Sequence, residues 1–315
     1  MIELDRVTKR FGERLAVDEL SLHVPAGEIF GLLGHNGAGK STAIGMMLGQ
    51  VWPTAGRVLV CGHDVTRQRR LALRKVGAIF ETPAFYDYLS GWRNLEIFSS
   101  YTARTAPQRI REVIDWIGLT GREHTKVKTY SHGMRARLAL AQALLPEPEL
   151  LILDEPGDGL DPEGIHEMRQ TIRRLRGELG LTLLLSSHLL NEVEQLCTRI
   201  LVIRQGRRVF EGALTEVKQA GNLVRVEVGD FAVAAARLRE CGLIAGAGEG
   251  GLLRLAAGVD TAQVVKRLVE LGMPVYQVVR QEQNLEEFYL SLMKQDAGAS
   301  SPEHAPRGGA PQNEN

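Results

Sequence analysis

Short apolar runs alternate with amphipathic segments along most of the chain. Residues 28–33 form an apolar run that stops at a glycine-rich turn, after which Ile44 and Met47 recur at helical spacing. Residues 150–153 and 182–186 are mainly apolar runs of the kind that is buried on both faces of a parallel sheet. Strands that alternate with helices in this way predict an α/β core.

Further elements are expected around this core. Residues 2–24 contain short alternating runs typical of antiparallel strands, and Asp161 followed by Pro162 is typical of a helix start. The helix that starts at Asp161 is expected to extend to about residue 179, and other helices are expected near 92–102, after Pro107, after Ser131 and at 189–196. Further strands are expected at 57–60 and 76–80 and in a hairpin over 200–211. The mainly helical stretch predicts a helical insert, about residues 83–145, between the halves of the core.

A second unit is predicted to begin near residue 221. Val224, Val226 and Val228 alternate with charged residues, which is typical of a half-buried strand. Helices at 232–240 and 261–271, apolar runs around 246–250 and a strand at 275–279 complete the order βαββαβ, which predicts a small α+β ferredoxin-like domain. The sequence thus divides into 1–220, 221–295 with an apolar stripe on a terminal helix, and a tail over 296–315 with too little to bury, which we expect to be disordered.

Composition excludes several classes of protein. The 315 residues carry 38 basic and 38 acidic side chains, and this lack of a basic excess argues against nucleic-acid binding. Cys61, Cys197 and Cys241 lie far apart, which argues against a disulfide framework or a metal cluster. We found neither a signal peptide nor an apolar run long enough to span a membrane. A cytosolic chain is therefore expected, with any membrane role supplied by a partner.

The glycine-rich turn carries the first chemical signal. It fits the pattern GxxxxGK[ST] between a strand and a helix, where backbone N–H groups and the helix dipole surround a phosphate. Lys40 is expected to reach the β- and γ-phosphates, Ser41 to bind Mg²⁺, and Thr42 to add a hydroxyl contact. A chance glycine-rich turn is the alternative. The whole candidate loop is Gly34, His35, Asn36, Gly37, Ala38, Gly39, Lys40, Ser41 and Thr42.

Two carboxylates follow the apolar strand at 150–153. Asp154 and Glu155 stand at its carboxyl end, where ligands bind in open α/β sheets. Asp154 is expected to hold Mg²⁺, and Glu155 to polarise an attacking water as general base. An acidic loop without a chemical role is the alternative, and the phosphate loop makes it the weaker one.

The order of further motifs resembles the ABC ATPase family over about residues 1–220. Tyr130-Ser131-His132-Gly133-Met134 stands where the family has its signature, Gly159-Leu160-Asp161 resembles the D-loop, and His188 resembles the switch histidine. The resemblance implies that Ser131, His132 and Gly133 contact the γ-phosphate held by a second protomer, and that His188 and Asp161 lie at the same site. Ser131 is also a plausible helix cap. Phe11 matches the aromatic that stacks on adenine; a core position is the alternative.

Some positions depart from the family pattern. Glu81 stands in place of the usual Q-loop glutamine, His132 replaces a glycine, Met134 replaces a glutamine, and Asp158 often has a serine counterpart. Glu81 still offers an oxygen to the metal, although it adds negative charge near Glu155 and the phosphates. We expect Glu81 to remain functional, so that Glu81→Gln retains ATPase activity. Loss of activity with intact folding would contradict this.

The segment around Glu81, residues 77–86 followed by 88–95, resembles exporter ATPases of the bacitracin-resistance type. This resemblance implies ATP and Mg²⁺ as cofactors, a head-to-tail dimer of two ATPase subunits, and a separately encoded ABC-2-type membrane permease. The aromatic side chains Phe85, Tyr86, Tyr88 and Trp92 either pack within the helical insert or receive the permease. A soluble ABC ATPase acting on ribosomes or DNA, or an ATP-sensing module without catalysis, are the alternatives.

Overall fold

The computed structural model describes residues 1–80, 84–102, 106–220, 222–281 and 284–295. Several sequence-based expectations lie outside these ranges. They are the Q-loop position Glu81, the first residue of the expected helical insert, the boundary residue 221 and the expected disordered tail.

The described elements follow one another in the predicted order. Up to residue 220 they are β1 (Ile2–Phe11), β2 (Arg14–Val24), β3 (Ile29–Leu33), α1 (Lys40–Met47), β4 (Ala55–Val60), β5 (His63–Asp64), α2 (Arg69–Ala72), β6 (Val76–Ile79), α3 (Gly91–Thr102), α4 (Pro107–Trp116), α5 (His132–Leu144), β7 (Leu150–Asp154), α6 (Pro162–Leu179), β8 (Thr182–Ser187), α7 (Leu190–Leu196), β9 (Arg199–Arg204), β10 (Arg207–Ala213) and α8 (Leu214–Ala220). The rest are β11 (Leu223–Val228), α9 (Phe231–Glu240), β12 (Ile244–Ala247), β13 (Leu252–Leu255), α10 (Thr261–Glu270), β14 (Val275–Gln281) and α11 (Leu285–Gln295).

A mixed sheet forms the centre of the first unit. Its order is β10-β9-β3-β8-β7-β6, and every pairing is parallel except that of β10 with β9. Strands β3 and β8 are buried along their whole length, as expected for strands covered on both faces. The carboxyl ends of β3, β7 and β8 therefore meet at one edge, where the phosphate loop, the acidic pair and the switch histidine follow them.

Helix α5 packs very closely on the edge strand β6. A Cβ atom at Gly77 would collide with the carbonyl oxygen of Ala143, near the carboxyl end of α5. Only glycine permits this approach, because any other residue would push the helix away from the sheet. The carboxyl end of α5 is thus fixed to the central sheet, while its amino end begins at the predicted signature.

A second, antiparallel sheet covers helix α1. Its order is β2-β1-β4-β5, and its buried face shares a hydrophobic core with α1 and with residues of β3, β7 and β8. This sheet and the mixed central sheet confirm the expected architecture of an ATPase core with an antiparallel β-subdomain.

The described part of the helical insert is organised around Asn94, which is fully buried on α3. Its side-chain amide donates to the carbonyl oxygens of Tyr86 and Ser90, and its Oδ1 accepts from the Tyr86 N–H at 2.8 Å. Helices α3, α4 and α5 pack on one another beside this segment. One buried side chain therefore holds the aromatic segment 84–90 in place.

The second unit has the predicted ferredoxin-like order. Strands β11 to β14 form an antiparallel sheet in the order β12-β13-β11-β14, and α9 and α10 contribute Ala234, Leu238, Val264 and Leu268 to its core. The terminal helix α11 joins a different core. Its Leu285 and Phe288 are buried among residues of the first unit.

Three short elements were not anticipated from the sequence: β5, α2 and α8. For α8, the buried pair Leu214 and Val217 stands at helical spacing, so the signal was present but very short. None of the helices in the described ranges has the length and apolar character needed to cross a membrane.

Candidate active site

The phosphate loop connects β3 to α1 in a glycine-dependent conformation. Gly39 has a φ of 110°, and a Cβ at this position would lie 2.6 Å from the carbonyl oxygen of Ala16. Helix α1 starts directly afterwards, so its first N–H groups face the loop, as an anion site requires. His35, Asn36, Gly37 and Ser41 are exposed, Thr42 is half-buried, and Ala38 is buried beneath them.

Lys40 is the buried charge of this loop, with only 6% of its surface exposed. Its Nζ donates to the carbonyl oxygen of Gly34 at 2.7 Å and lies 3.4 Å from Glu155 Oε1. A buried ammonium requires such partners, because burial without them costs several kcal/mol. The Lys40 ammonium is thus held between the backbone of the loop and the carboxylate of Glu155.

Glu155 joins the phosphate loop to the switch histidine. Its Oε2 lies 2.7 Å from His188 Nδ1 and accepts the His188 backbone N–H at 3.1 Å. The backbone of Glu155 has a φ of 49°, a left-handed conformation that costs about 1–3 kcal/mol for a residue with a side chain and is concentrated at functional sites. The two carboxylate oxygens therefore hold one residue from each neighbouring loop.

Ser186 orients both acidic residues. Its hydroxyl donates to Asp154 Oδ1 and accepts the N–H of Glu155 at 3.2 Å. Because Ser186 is fully buried in β8, it fixes the end of the neighbouring strand β7. The carboxylate of Asp154 is consequently aimed from the edge of the sheet.

Glu155 also separates two clefts. The first has a volume of about 310 Å³ and is lined by Arg14, Ala16, His35, Asn36, Gly37, Gly39, Lys40, Ser41, Thr42 and Glu155. The second lies between α5 and the end of β7, with His132, Arg135, Asp154 and Asp158 among its walls. No residue of 131–133 is among the described residues that line the first cleft.

The signature segment caps helix α5. Ser131 Oγ accepts the N–H of Met134 at 3.2 Å, which confirms the predicted cap. The exposed His132 places its ring against Gly159 of the predicted D-loop, and Gly133 lies beside Gly164. In the D-loop, Asp161 caps α6 by accepting the Gly164 N–H at 2.9 Å. Two adjacent capped helix starts therefore form this surface.

Phe11 occupies an exposed position. Half of its surface is accessible, and Lys9 Nζ lies 4.8 Å from the centre of its ring. The alternative of a core aromatic is therefore wrong. Its exposed ring is accessible for stacking on a planar group. The other predicted site residue, Glu81, falls outside the described residues.

Comparison with known proteins agrees with this arrangement. A model of the ABC transporter family matches residues 17–158. An uncharacterized ABC transporter ATP-binding protein of Bacillus subtilis, YhcH, is 46% identical over 66% of this chain and 68% of its own length. The bacitracin transport ATP-binding protein BcrA of Enterococcus faecalis is 36% identical over 93% of this chain and 96% of its own. The chain belongs to the ABC transporter ATP-binding proteins.

Solved structures of this family share the fold. The dimeric ATP-binding cassette MJ0796, bound to ADP and Pi, superposes with a TM-score of 0.61 at 25% identity, covering 68% of this chain and 99% of that one. The ABC transporter protein described here is therefore an ATPase, an ATP-binding subunit of a transporter.

One acidic residue of this ABC ATPase escaped the sequence analysis. Glu192 on α7 is buried, lies against Gly157 just after the acidic pair, and is 3.4 Å from Ser187 Oγ. Burial raises the pKa of its carboxyl and the charge of Glu155 raises it further, while Arg169 opposes both. Only the fold reveals this position, because Glu192 lies four residues after His188 in the sequence and carries no motif of its own.

Proposed function

We propose that this subunit hydrolyses ATP to drive export through a separately encoded, ABC-2-type membrane permease. The chain would lie in the cytoplasm, at the inner face of the membrane, and would act as a head-to-tail pair of identical subunits. Similarity to the bacitracin transport protein BcrA along nearly the whole chain supports this proposal, as does the earlier resemblance to exporter ATPases.

The geometric observation that carries the proposal is the aromatic surface of the helical insert. Tyr88 is 67% exposed and Tyr86 is 39% exposed, whereas Phe85 and Trp92 pack against the core. Buried Asn94 and the Arg135–Asp87 ion pair, at 2.8 Å, fix the segment to α3 and α5. Exposed aromatic side chains on a rigid support are typical of binding surfaces. This surface suits a membrane partner that must move α5.

In the proposed site, Lys40 and the loop N–H groups hold the phosphates of ATP. Lys40 Nζ lies 3.4 Å from Glu155 Oε1, and the phosphate oxygens of bound ATP would replace Glu155 as its partner. The Glu155 carboxylate would then be available to accept a proton from the attacking water. His188 keeps the carboxylate in place through its 2.7 Å contact. Phe11 would stack on the adenine.

Magnesium fits the donor set at this edge. Ser41 supplies a hydroxyl and Asp154 a carboxylate oriented by Ser186, and Mg²⁺ prefers such oxygen ligands. We assign Ser41 and Asp154 as its protein ligands, with Glu81 as a further candidate. The ion supplies neutralisation of phosphate charge when bound.

The second protomer would complete the site. None of Ser131, His132 and Gly133 lines the described phosphate-loop cleft of its own chain. Ser131 and His132 are exposed at a helix start, which is suited to an anion held by another subunit. Asp161 would cross the same interface. A hydroxyl that accepts the Met134 N–H still has a proton to donate, so Ser131 can cap its helix and bind a phosphate together.

A photo-crosslinking experiment tests the partner. A benzophenone amino acid is placed at Tyr88 or, as a control, at Trp52. Trp52 is also exposed, but it lies outside the helical insert. We expect the Tyr88 probe to crosslink an integral membrane protein in cells, and the Trp52 probe not to do so. Ribosomal proteins or DNA-bound proteins in the Tyr88 adduct would contradict the proposal and favour the soluble alternative.

A further inference from the structure

The terminal helix α11 leaves the ferredoxin-like unit and docks on the ATPase unit. Phe288 packs edge-to-face on Phe210 with ring centres 4.8 Å apart, and the Leu285 N–H lies 3.4 Å from Glu194 Oε2 on α7. Arg204, the last residue of β9, donates from Nη1 to the carbonyl oxygen of Met293 at 3.1 Å. Both ends of α11 are thereby tied to elements that flank the nucleotide site.

Arg204 leads directly into a turn that supports the phosphate loop. Gly206 donates its N–H to the carbonyl oxygen of Ala38 at 2.8 Å. On the other side of the loop, the backbone of Gly34 approaches Ile203 so closely that a Cβ would lie 2.6 Å from its carbonyl oxygen. The β9–β10 turn, residues 203–206, therefore contacts the phosphate loop near both of its ends.

The pKa of Tyr289, on the same helix, agrees with this arrangement. Tyr289 is half-buried. Burial raises the pKa of its phenol, while a hydrogen bond with the His35 backbone and the charge of Arg204 lower it. The bond from Arg204 to Met293 thus links α11 to the phosphate loop through the β9–β10 turn.

We propose that α11 braces the phosphate loop through the β9–β10 turn, and that Arg204 is a positioning residue for ATP binding. The loop binds phosphate with backbone N–H groups, whose affinity depends on their being held in place before the ligand arrives. Contacts that hold the loop in place before ATP arrives lower the entropic cost of ordering the loop when ATP binds. The C-terminal part of the chain therefore sets the affinity of the nucleotide site, whatever the transport partner is.

Binding measurements on the full-length protein test this role. Arg204→Gln removes the guanidinium that donates to Met293, and we expect it to bind the non-hydrolysable analogue AMP-PNP about two- to ten-fold more weakly, the range for one lost hydrogen bond. Arg208→Gln removes the same charge from β10, where Arg208 pairs with Glu211, and should leave the Kd unchanged. Equal Kd values for the two variants would overturn the proposal.

Hydrogen exchange in the wild-type protein provides a test that needs no variant. Because coupling between two sites is reciprocal, a helix that strengthens ATP binding must itself be stabilised by the nucleotide. We expect AMP-PNP to slow amide exchange in both the phosphate loop and α11, while α9 stays unchanged. Slower exchange in the phosphate loop with no change in α11 would refute the brace.

Discussion

The phosphate-loop half and the signature half of the proposed site are built in opposite ways. In the first, Lys40 is buried and held by Gly34 and Glu155, and Glu155 is held in turn by His188. In the second, Ser131 and His132 are exposed, and the hydroxyl of Ser131 makes its contact within its own helix start. One half is pre-organised around internal partners, and the other presents its groups outwards. This difference supports the proposal that a single chain holds two incomplete parts of a shared site.

The strongest test removes the base from the pre-organised half. Glu155→Gln should lower turnover by about 10²- to 10⁴-fold, the usual contribution of a positioned general base. ATP binding should persist, because Lys40 remains, and a closed dimer should accumulate. Steady-state ATPase assays and size-exclusion chromatography with light scattering measure both effects. The control is Glu178→Gln, which neutralises an exposed carboxylate on α6; turnover of the Glu155 variant equal to that of this control would remove Glu155 from catalysis.

A mixing experiment asks whether the two halves come from different chains. Lys40→Ala disables the phosphate-loop half and Ser131→Ala the signature half, so each protein alone should be poorly active. In an equal mixture of exchanging subunits, half of the dimers are mixed and each contains one intact site, so activity should recover to about a quarter of wild type. ATPase rates are measured before and after mixing. No recovery despite demonstrated exchange would place both halves within one protomer.

A stability measurement separates the two roles of Ser131. Loss of its cap should cost about 1 kcal/mol in the free energy of unfolding. Asp230→Ala removes a similar cap, on α9, where Asp230 Oδ1 accepts the Val233 N–H at 3.1 Å. We expect denaturant unfolding to show similar losses, with reduced turnover for Ser131→Ala alone. Equal turnover in the two variants would leave Ser131 with a capping role only.

The smallest effect concerns Glu192, whose buried carboxyl lies against Gly157. Its raised pKa means that the folded state holds more protons than the unfolded state above the ordinary value of 4.5, so its contribution to stability is lost as pH rises. Glu192→Gln keeps the shape without the charge. Relative to wild type it should gain roughly 1 kcal/mol near pH 8 and little near pH 5, since an uncompensated buried acceptor costs about this much.

Unfolding curves at both pH values measure the Glu192 effect. Glu163→Gln, an exposed carboxylate in the first turn of α6, is the matched control and should show a much smaller difference between the two pH values. A gain for Glu192→Gln that is the same at pH 5 and pH 8 would mean that the carboxyl does not titrate as the fold implies.

Local patterns predicted much of this molecule. The strand before Gly34, the acidic pair after β7 and the cap at Ser131 were recognised because each depends on residues that are near one another in sequence. The ferredoxin-like order was predicted for the same reason, from alternation in β11 and the helical spacing that follows. The roles of the site residues stay predictions, and Glu81 lies outside the described part of the chain.

What was missed depends on contacts between distant segments. Nothing near Met293 indicates that its carbonyl oxygen accepts a hydrogen bond from Arg204, and Glu192 gains its buried position only when α7 packs against the turn at Gly157. The exposure of Phe11 was likewise undecided, since an aromatic at a strand end fits either a core or a surface. These properties follow from tertiary packing, which the local pattern does not contain.

The close approach of Gly77 to Ala143 has a mechanical consequence. It makes the carboxyl end of α5 a pivot, while Ser131 stands at the far end of the helix. A helix of 13 residues is about 20 Å long, so a tilt of about 10° around the pivot would sweep Ser131 through about 3 Å. That arc equals the length of a hydrogen bond. In the proposed dimer, a tilt of this size would be enough to engage or release a phosphate held by the opposite subunit.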